Sequence, residues 1–120
     1  MARILVVEDE PNILKLVSVN LEARGHQVIE AEDGRSGLAC LSNRTPEVLL
    51  LDIKLPDMSG WELLKFISAN PAYPQIPVIV ITASLNIASQ NYRFYKNVRR
   101  ILVKPLDVQE LAREVRNALN

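Results

Sequence analysis

Residues 48–67, VLLLDIKLPDMSGWELLKFI, change character twice. Four apolar residues run without polar alternation into Asp52; Pro56, Asp57, Ser59 and Gly60 then break the pattern, and Leu63, Leu64 and Ile67 recur at helical spacing. An apolar run without alternation suits a strand buried on both faces of a parallel sheet, and the switch to a period near 3.6 marks a strand followed by a helix. Working outward, the same pattern recurs at Arg3 to Val7, Gln27 to Ala31, Val78 to Thr82 and Arg100 to Val103, with helix-like segments between. Repeated β-α units most simply build an α/β doubly wound five-stranded parallel sheet with helices on both faces, because parallel crossovers are right-handed.

The helix signals are local. Pro11 favours a first turn, Ile13, Leu14, Val17 and Leu21 form an inward stripe, and Gly25 ends it. Asp33 reads as the N-cap of a short helix carrying Leu38 and Leu41. A third helix follows Ser59 and Gly60. Asp107 with Glu110 three residues on resembles a capping box for a last helix whose stripe is Val108, Leu111, Val115 and Leu119. Leu85 to Asn97 reads as a weaker helix, since Asn86, Asn91 and Tyr92 lower its propensity. Asn70 to Pro77, with three of the seven prolines, reads as a rigid connection.

With 120 residues, 48% hydrophobic and 23% charged, the chain fits one domain over residues 1–120 with a single core. The 14 basic and 14 acidic residues cancel, so the overall balance points to neither direct nucleic-acid binding nor an anionic membrane surface. Cys40 is the sole cysteine, which excludes an internal disulfide framework and a cysteine zinc site, and it reads as a half-buried helix residue. The run Ile4 to Val7, closed by Glu8, is too short for a signal core or a membrane span, so a cytoplasmic location is expected.

In open α/β sheets the site lies at the carboxyl ends of the strands. Those positions hold Glu8 and Asp9 after the first strand, Asp52 after the third, Thr82 at the fourth and Lys104 after the fifth. Carboxylates brought this close repel unless a cation neutralises them, and Mg2+ is usually held by one or two carboxylates beside a phosphate. The remaining carboxylate is then free to act as a nucleophile toward phosphorus. Lys104 suits a phosphoryl oxygen as a point charge, and the Thr82 hydroxyl suits another as a donor.

VVEDE at 6–10, LLLDIKLPDMSGWELL at 49–64, VIVITA at 78–83 and LVKP at 102–105 resemble the four signature segments of response-regulator receiver domains. The resemblance spans essentially the whole chain and implies a flavodoxin-like fold with strand order 2-1-3-4-5. By position it implies that Asp52 is the phosphoacceptor in a two-component or phosphorelay system, that Glu8 and Asp9 hold Mg2+, and that the Lys54 backbone carbonyl completes the metal site. Thr82 and Lys104 would assist phosphoryl transfer from a histidine kinase or phosphotransfer protein, and Ala83 would leave room for the phosphoryl group. The Lys104–Pro105 bond is cis in the family. The domain would catalyse only its own phosphorylation and dephosphorylation, and would switch an output face around the fourth helix, fifth strand and fifth helix.

The sequence departs from the family at that face. The usual aromatic residue three positions before the lysine is Ile101, so an aromatic rotation cannot carry the signal, and Tyr92, Phe94 or Tyr95 are candidate substitutes. Asn97, Val98, Arg99 and Arg100 replace a small, acidic stretch; Asn97 can supply a left-handed residue, and the arginines, with Arg93 and Lys96, make the face basic, suited to an acidic downstream protein. Lys54 and Ser84 stand where the family sets the lifetime of the aspartyl-phosphate, and a long-lived state is expected. A homodimer remains open, although Leu106 stands where many dimerising members carry Phe. His26 reads as a loop residue, Trp61 as packing where the third helix begins, and Tyr92 to Tyr95 equally as core or interface.

Two other readings compete. A flavin-binding flavodoxin-type module would need a hydroxyl- and glycine-rich phosphate loop where this chain has Glu8, Asp9 and Glu10. A Mg2+-dependent phosphohydrolase with an aspartate nucleophile would need a second aspartate two residues after Asp9, where Pro11 stands. No DNA-binding or catalytic module fits within these residues, so a complete chain of this length would act through protein contact.

Overall fold

The computed structural model describes residues 2–73, 76–83, 95 and 97–120. Ser84, Arg93, Lys96 and the helix expected within Leu85–Asn97, with Tyr92 and Phe94, lie outside them, apart from Tyr95 and Asn97. In chain order the described elements are β1 (Arg3–Val7), α1 (Pro11–Ala23), β2 (Gln27–Ala31), α2 (Gly34–Asn43), β3 (Val48–Asp52), α3 (Gly60–Ala69), β4 (Val78–Thr82), β5 (Val98–Val103) and α4 (Val108–Leu119). The strands form one parallel sheet in the order β2-β1-β3-β4-β5.

Alternation along the strands divides the core in two. Leu5, Val7, Leu49, Leu51, Val78 and Val80 face one side, where Leu41 of α2 and Leu63, Leu64 and Ile67 of α3 cover them. Ile4, Val6, Leu50, Ile79 and Ile81 face the other, under Leu14, Val17 and Leu21 of α1 and Leu111 and Val115 of α4. Burial on both faces holds for β3 and β4 throughout and for β1 beyond Arg3. It does not hold for β2 or β5, which are edge strands and lack a neighbour on one side.

The helix ends follow the sequence signals. The Asp33 carboxylate accepts from the Ser36 amide at 2.7 Å, Ser59 Oγ from Trp61 at 3.1 Å, and Asp107 from Gln109 and Glu110 at 2.9 and 3.2 Å. Gly25, just past α1, has φ 91°, a conformation that side chains with a Cβ resist. Three expectations are corrected. Leu119 is exposed, and Ala112 and Ala118 pack inward with Leu111 and Val115, because Leu119 is the last residue of α4 and no following turn covers it. β5 begins at Val98, two residues earlier than its apolar run, since an edge strand tolerates Arg99 and Arg100 on its open side. The register slips between Val78 and Ile79, which pair with Val98 and Arg100, so Arg99 is left unopposed and both arginines are exposed. Asn97 does not take the left-handed conformation, since no described residue other than glycine has positive φ. Its Nδ2 donates to the Ile76 carbonyl at 3.1 Å and its carbonyl accepts from Val78, which holds it in the turn leading into β5.

Trp61 stacks on Tyr95 with ring centroids 5.8 Å apart and planes 13° from parallel, so Tyr95 packs against the core on the α2–α3 side. Gly60 starts α3 beside the end of β3, its amide donating to the Ile53 carbonyl at 2.7 Å. A Cβ on residue 60 would meet the Asp52 carbonyl oxygen at 2.5 Å and Ile53 Cα at 2.8 Å, both backbone atoms. Gly60→Ala is therefore expected to lower stability by about 1–3 kcal/mol, read as an earlier midpoint in urea.

Candidate functional site

The sheet register brings the strand ends together. Val7 pairs with Leu51 and Ala31, Asp52 with Ile81, and Thr82 with Val103, so Glu8, Asp52, Thr82 and Lys104 emerge along one edge of the sheet. The β1/β3 gap is also where the strand order reverses, the place at which such sheets carry their sites. Backbone bonds fix each position: the Glu8 amide donates to Ala31, Ile53 to Ile81, and Lys104 to Thr82. The Lys104–Pro105 bond is cis.

Lys104 Nζ lies 2.9 Å from Asp52 Oδ2, 2.8 Å from Glu10 Oε1 and 3.0 Å from Glu8 Oε1. The Glu8 contact is an ion pair only, because Oε1, although buried, receives no aligned hydrogen bond. Glu8 Oε2 accepts from the Glu10 amide at 3.0 Å, and Asp52 Oδ1 accepts from the Lys54 amide at 3.0 Å. Glu8 is 0% exposed and Asp52 3%, while Glu10 is exposed.

This arrangement is short of positive charge. Burial pushes the Glu8 carboxyl up to about 7; the Glu10 amide opposes that, and the neighbouring Asp52 adds to it. Burial disfavours the charged lysine, but the hydrogen bonds to Glu10 and Asp52, with the ion pair to Glu8, outweigh it and hold the Lys104 ammonium above its ordinary value. Carboxylate oxygens of Glu8, Glu10 and Asp52 lie within 4.8 Å of one another, and one ammonium cannot balance three carboxylates. An all-oxygen donor set with excess negative charge and a buried, poorly satisfied Glu8 oxygen fits a hard divalent cation such as Mg2+.

Not every residue expected at the site joins this cluster. Asp9 is exposed; Glu8 and Glu10, two residues apart, turn to the same side and place Asp9 between them on another. Asp9 instead lines, with Glu10, Asp52, Lys54, Ala83 and Lys104, a cavity of about 300 Å³ above the acceptor. Thr82 is 5% exposed and lines a larger neighbouring cavity of about 620 Å³, which shares Lys54, Leu55, Pro56 and Ala83 with the first. Glu10 is an addition to the expected site; three consecutive acids after a strand signal that a second one can turn to the same side at i+2, where it meets Lys104.

A family model described as the response regulator receiver domain matches residues 4–116. The chain belongs to the response-regulator receiver family. This receiver is 35% identical to the DNA-binding dual master transcriptional regulator RpaA of Synechocystis over 99% of its own length and 49% of RpaA. It is 32% identical to protein PilH of Pseudomonas aeruginosa over 99% of its length and 98% of PilH. The chain thus spans about half of RpaA and nearly all of PilH. Among solved structures, the chemotaxis response regulator CheY4 of Vibrio cholerae superposes with a TM-score of 0.91 at 28% identity, covering 99% of each chain. The flavodoxin-like order expected of a receiver is the order observed.

The acid cluster gives this receiver a pH signature. Without metal, Glu8 in the folded protein keeps its proton to about pH 7, whereas its ordinary value is 4.5. The folded state therefore binds more protons than the unfolded chain across that window, and Glu8 makes stability fall as pH rises from about 4.5 to about 7, with no further change above. Glu8→Gln removes this contribution. Urea melts in EDTA should show wild type losing stability relative to the variant between pH 5 and pH 8, by at most about 3 kcal/mol.

Proposed function

We propose that Asp52 takes a phosphoryl group from a phosphohistidine on a histidine kinase or phosphotransfer protein, in a Mg2+-dependent reaction, as the input step of a two-component or phosphorelay pathway. The observation that carries this reading is a buried aspartate at the end of β3, reached through an open cavity and bracketed by the Lys54 amide on Oδ1 and the Lys104 ammonium on Oδ2. Asp52 attacks phosphorus, the phosphorus–nitrogen bond breaks, and the imidazole leaves. Lys104 offsets charge on the phosphoryl oxygens, the Lys54 amide orients the attacking carboxylate, and Thr82 donates its hydroxyl from the β4 side. Glu8 and Asp52, with Asp9 at the cavity wall and the backbone carbonyl of Lys54, are the groups assigned to Mg2+, which when bound would neutralise the transferring oxygens. Glu10 joins them as a further anionic group. Self-phosphorylation and self-dephosphorylation are the only catalysis assigned to the chain.

The output is assigned to the face of β5 and α4, toward a downstream protein or a second copy. Arg99 and Arg100 are exposed there, and Arg100 Nε lies 3.3 Å from the half-buried Glu114. Val103 is 41% exposed beside them, while Ile101 is half-buried against the core and suits a packing role. Ala83, exposed at the mouth of both cavities, leaves the phosphoryl group room. A cytoplasmic location is part of this reading; no helix among the described residues is long and apolar enough to cross a membrane. The flavodoxin-type and phosphohydrolase readings are not favoured: Asp9, where the hydrolase nucleophile would stand, is exposed and outside the carboxylate cluster.

Metal removal tests the reading. Incubated with acetyl phosphate and Mg2+, the protein should gain one phosphoryl group by intact mass, and in EDTA it should gain none. Equal uptake in both would exclude a metal-dependent site.

A further inference from the structure

Asp57 lies in the loop between β3 and α3, and nothing in the mechanism above uses it. Its Oδ1 accepts from the Gly34 amide at 2.8 Å and its Oδ2 from the Arg35 amide at 2.9 Å. These are the first two residues of α2, whose own N-cap, Asp33, serves only the Ser36 amide. The free amides of one helix end are thus shared between its own cap and a carboxylate 23 residues away from Gly34. The Gly34 and Arg35 amides hold the Asp57 carboxyl below its ordinary value although burial opposes them. Met58 packs on the same spot, where a Cβ on residue 34 would fall inside its side chain. The tip of the loop is therefore clamped onto α2 by two successive residues.

The base of the loop is closed by the Lys54–Ser59 bridge and by the Gly60 amide on the Ile53 carbonyl at 2.7 Å. Lys54, at that base, has its amide 3.0 Å from Asp52 Oδ1, and between base and tip the chain carries Leu55 and Pro56, which wall the cavity over the acceptor. We propose that Asp57 is a positioning residue for phosphoryl transfer: by tethering this loop to the N-terminus of α2, it holds the Lys54 amide on Asp52 and the Lys54 backbone beside the metal-binding carboxylates. This rests on Asp52 being the acceptor. Asp57 touches no reacting atom, and its effect travels through Lys54.

Asp33→Ala supplies the control, because it removes a cap from the same helix end and leaves the tether intact. In the metal-free protein, Asp57→Ala should speed hydrogen exchange at the Lys54 amide, while Asp33→Ala should not. Calorimetric titration with Mg2+ should show affinity about tenfold weaker in Asp57→Ala and unchanged in Asp33→Ala, with phosphoryl uptake from acetyl phosphate slowed only in the former. Unchanged Lys54 exchange in Asp57→Ala, or equal losses in both variants, would overturn the proposal, the latter by reducing Asp57 to a helix cap. A wild type that takes up no phosphoryl group would instead refute the acceptor reading, and the exchange data would still decide whether Asp57 sets the loop.

Discussion

Lys104→Ala is expected to destabilise the metal-free protein by about 3 kcal/mol at pH 8. The ammonium is the only cation recorded within 4 Å of Glu8, Glu10 and Asp52 among the described residues, and two of those carboxylates are almost fully buried. Removing it leaves like charges facing one another with no compensating group. The loss should shrink below pH 7, where Glu8 takes up a proton. Added Mg2+ should then raise the melting temperature of the variant more than that of wild type, because the uncompensated carboxylates gain most from a cation. Phosphoryl uptake should fall by a factor on the order of 10²–10³, the usual result of deleting one preorganised charge-stabilising group. Denaturant melts at two pH values and initial rates of uptake together check this. A variant as stable as wild type at pH 8 would mean that the lysine's ion pairs contribute nothing.

Asp52→Asn should abolish phosphoryl uptake and leave a folded protein. An amide is not a competent nucleophile here, whereas its carbonyl oxygen can still accept from the Lys54 amide as Oδ1 does. The Asp52 charge is one cause of the raised Glu8 value, so in the variant the Glu8 carboxyl should move back toward 4.5. An NMR titration of Glu8 reads that shift independently of activity. Retained uptake in the variant would place the acceptor elsewhere.

The sequence made the strands and caps legible because each depends on a short-range signal. Asp33, Ser59 and Asp107 cap helices through amides two or three residues away, and the apolar runs of β1, β3 and β4 lie in the centre of the sheet where no solvent blurs the pattern. The β5 start was hidden because an edge strand accepts two adjacent arginines at a register slip, which no period-2 pattern anticipates. The site was legible to the level of strand ends: Glu8, Asp52 and Lys104 meet as their positions after β1, in β3 and after β5 imply. Which acids turn inward was not, since Glu10 and Asp9 differ by one residue in a loop and only three-dimensional packing sends Glu10 to the lysine and Asp9 to the cavity wall. Asp57 was equally silent, because its partners Gly34 and Arg35 are distant in sequence and offer only backbone amides.

The acceptor is identified most directly by locating the modified residue in the phosphorylated protein. Borohydride reduces an aspartyl-phosphate to homoserine, so peptide mapping after acetyl phosphate, Mg2+ and borohydride reports the acceptor by mass. Homoserine is expected at position 52 alone. Modification at Asp9 or Glu10, or spread among the acids of the site, would contradict it.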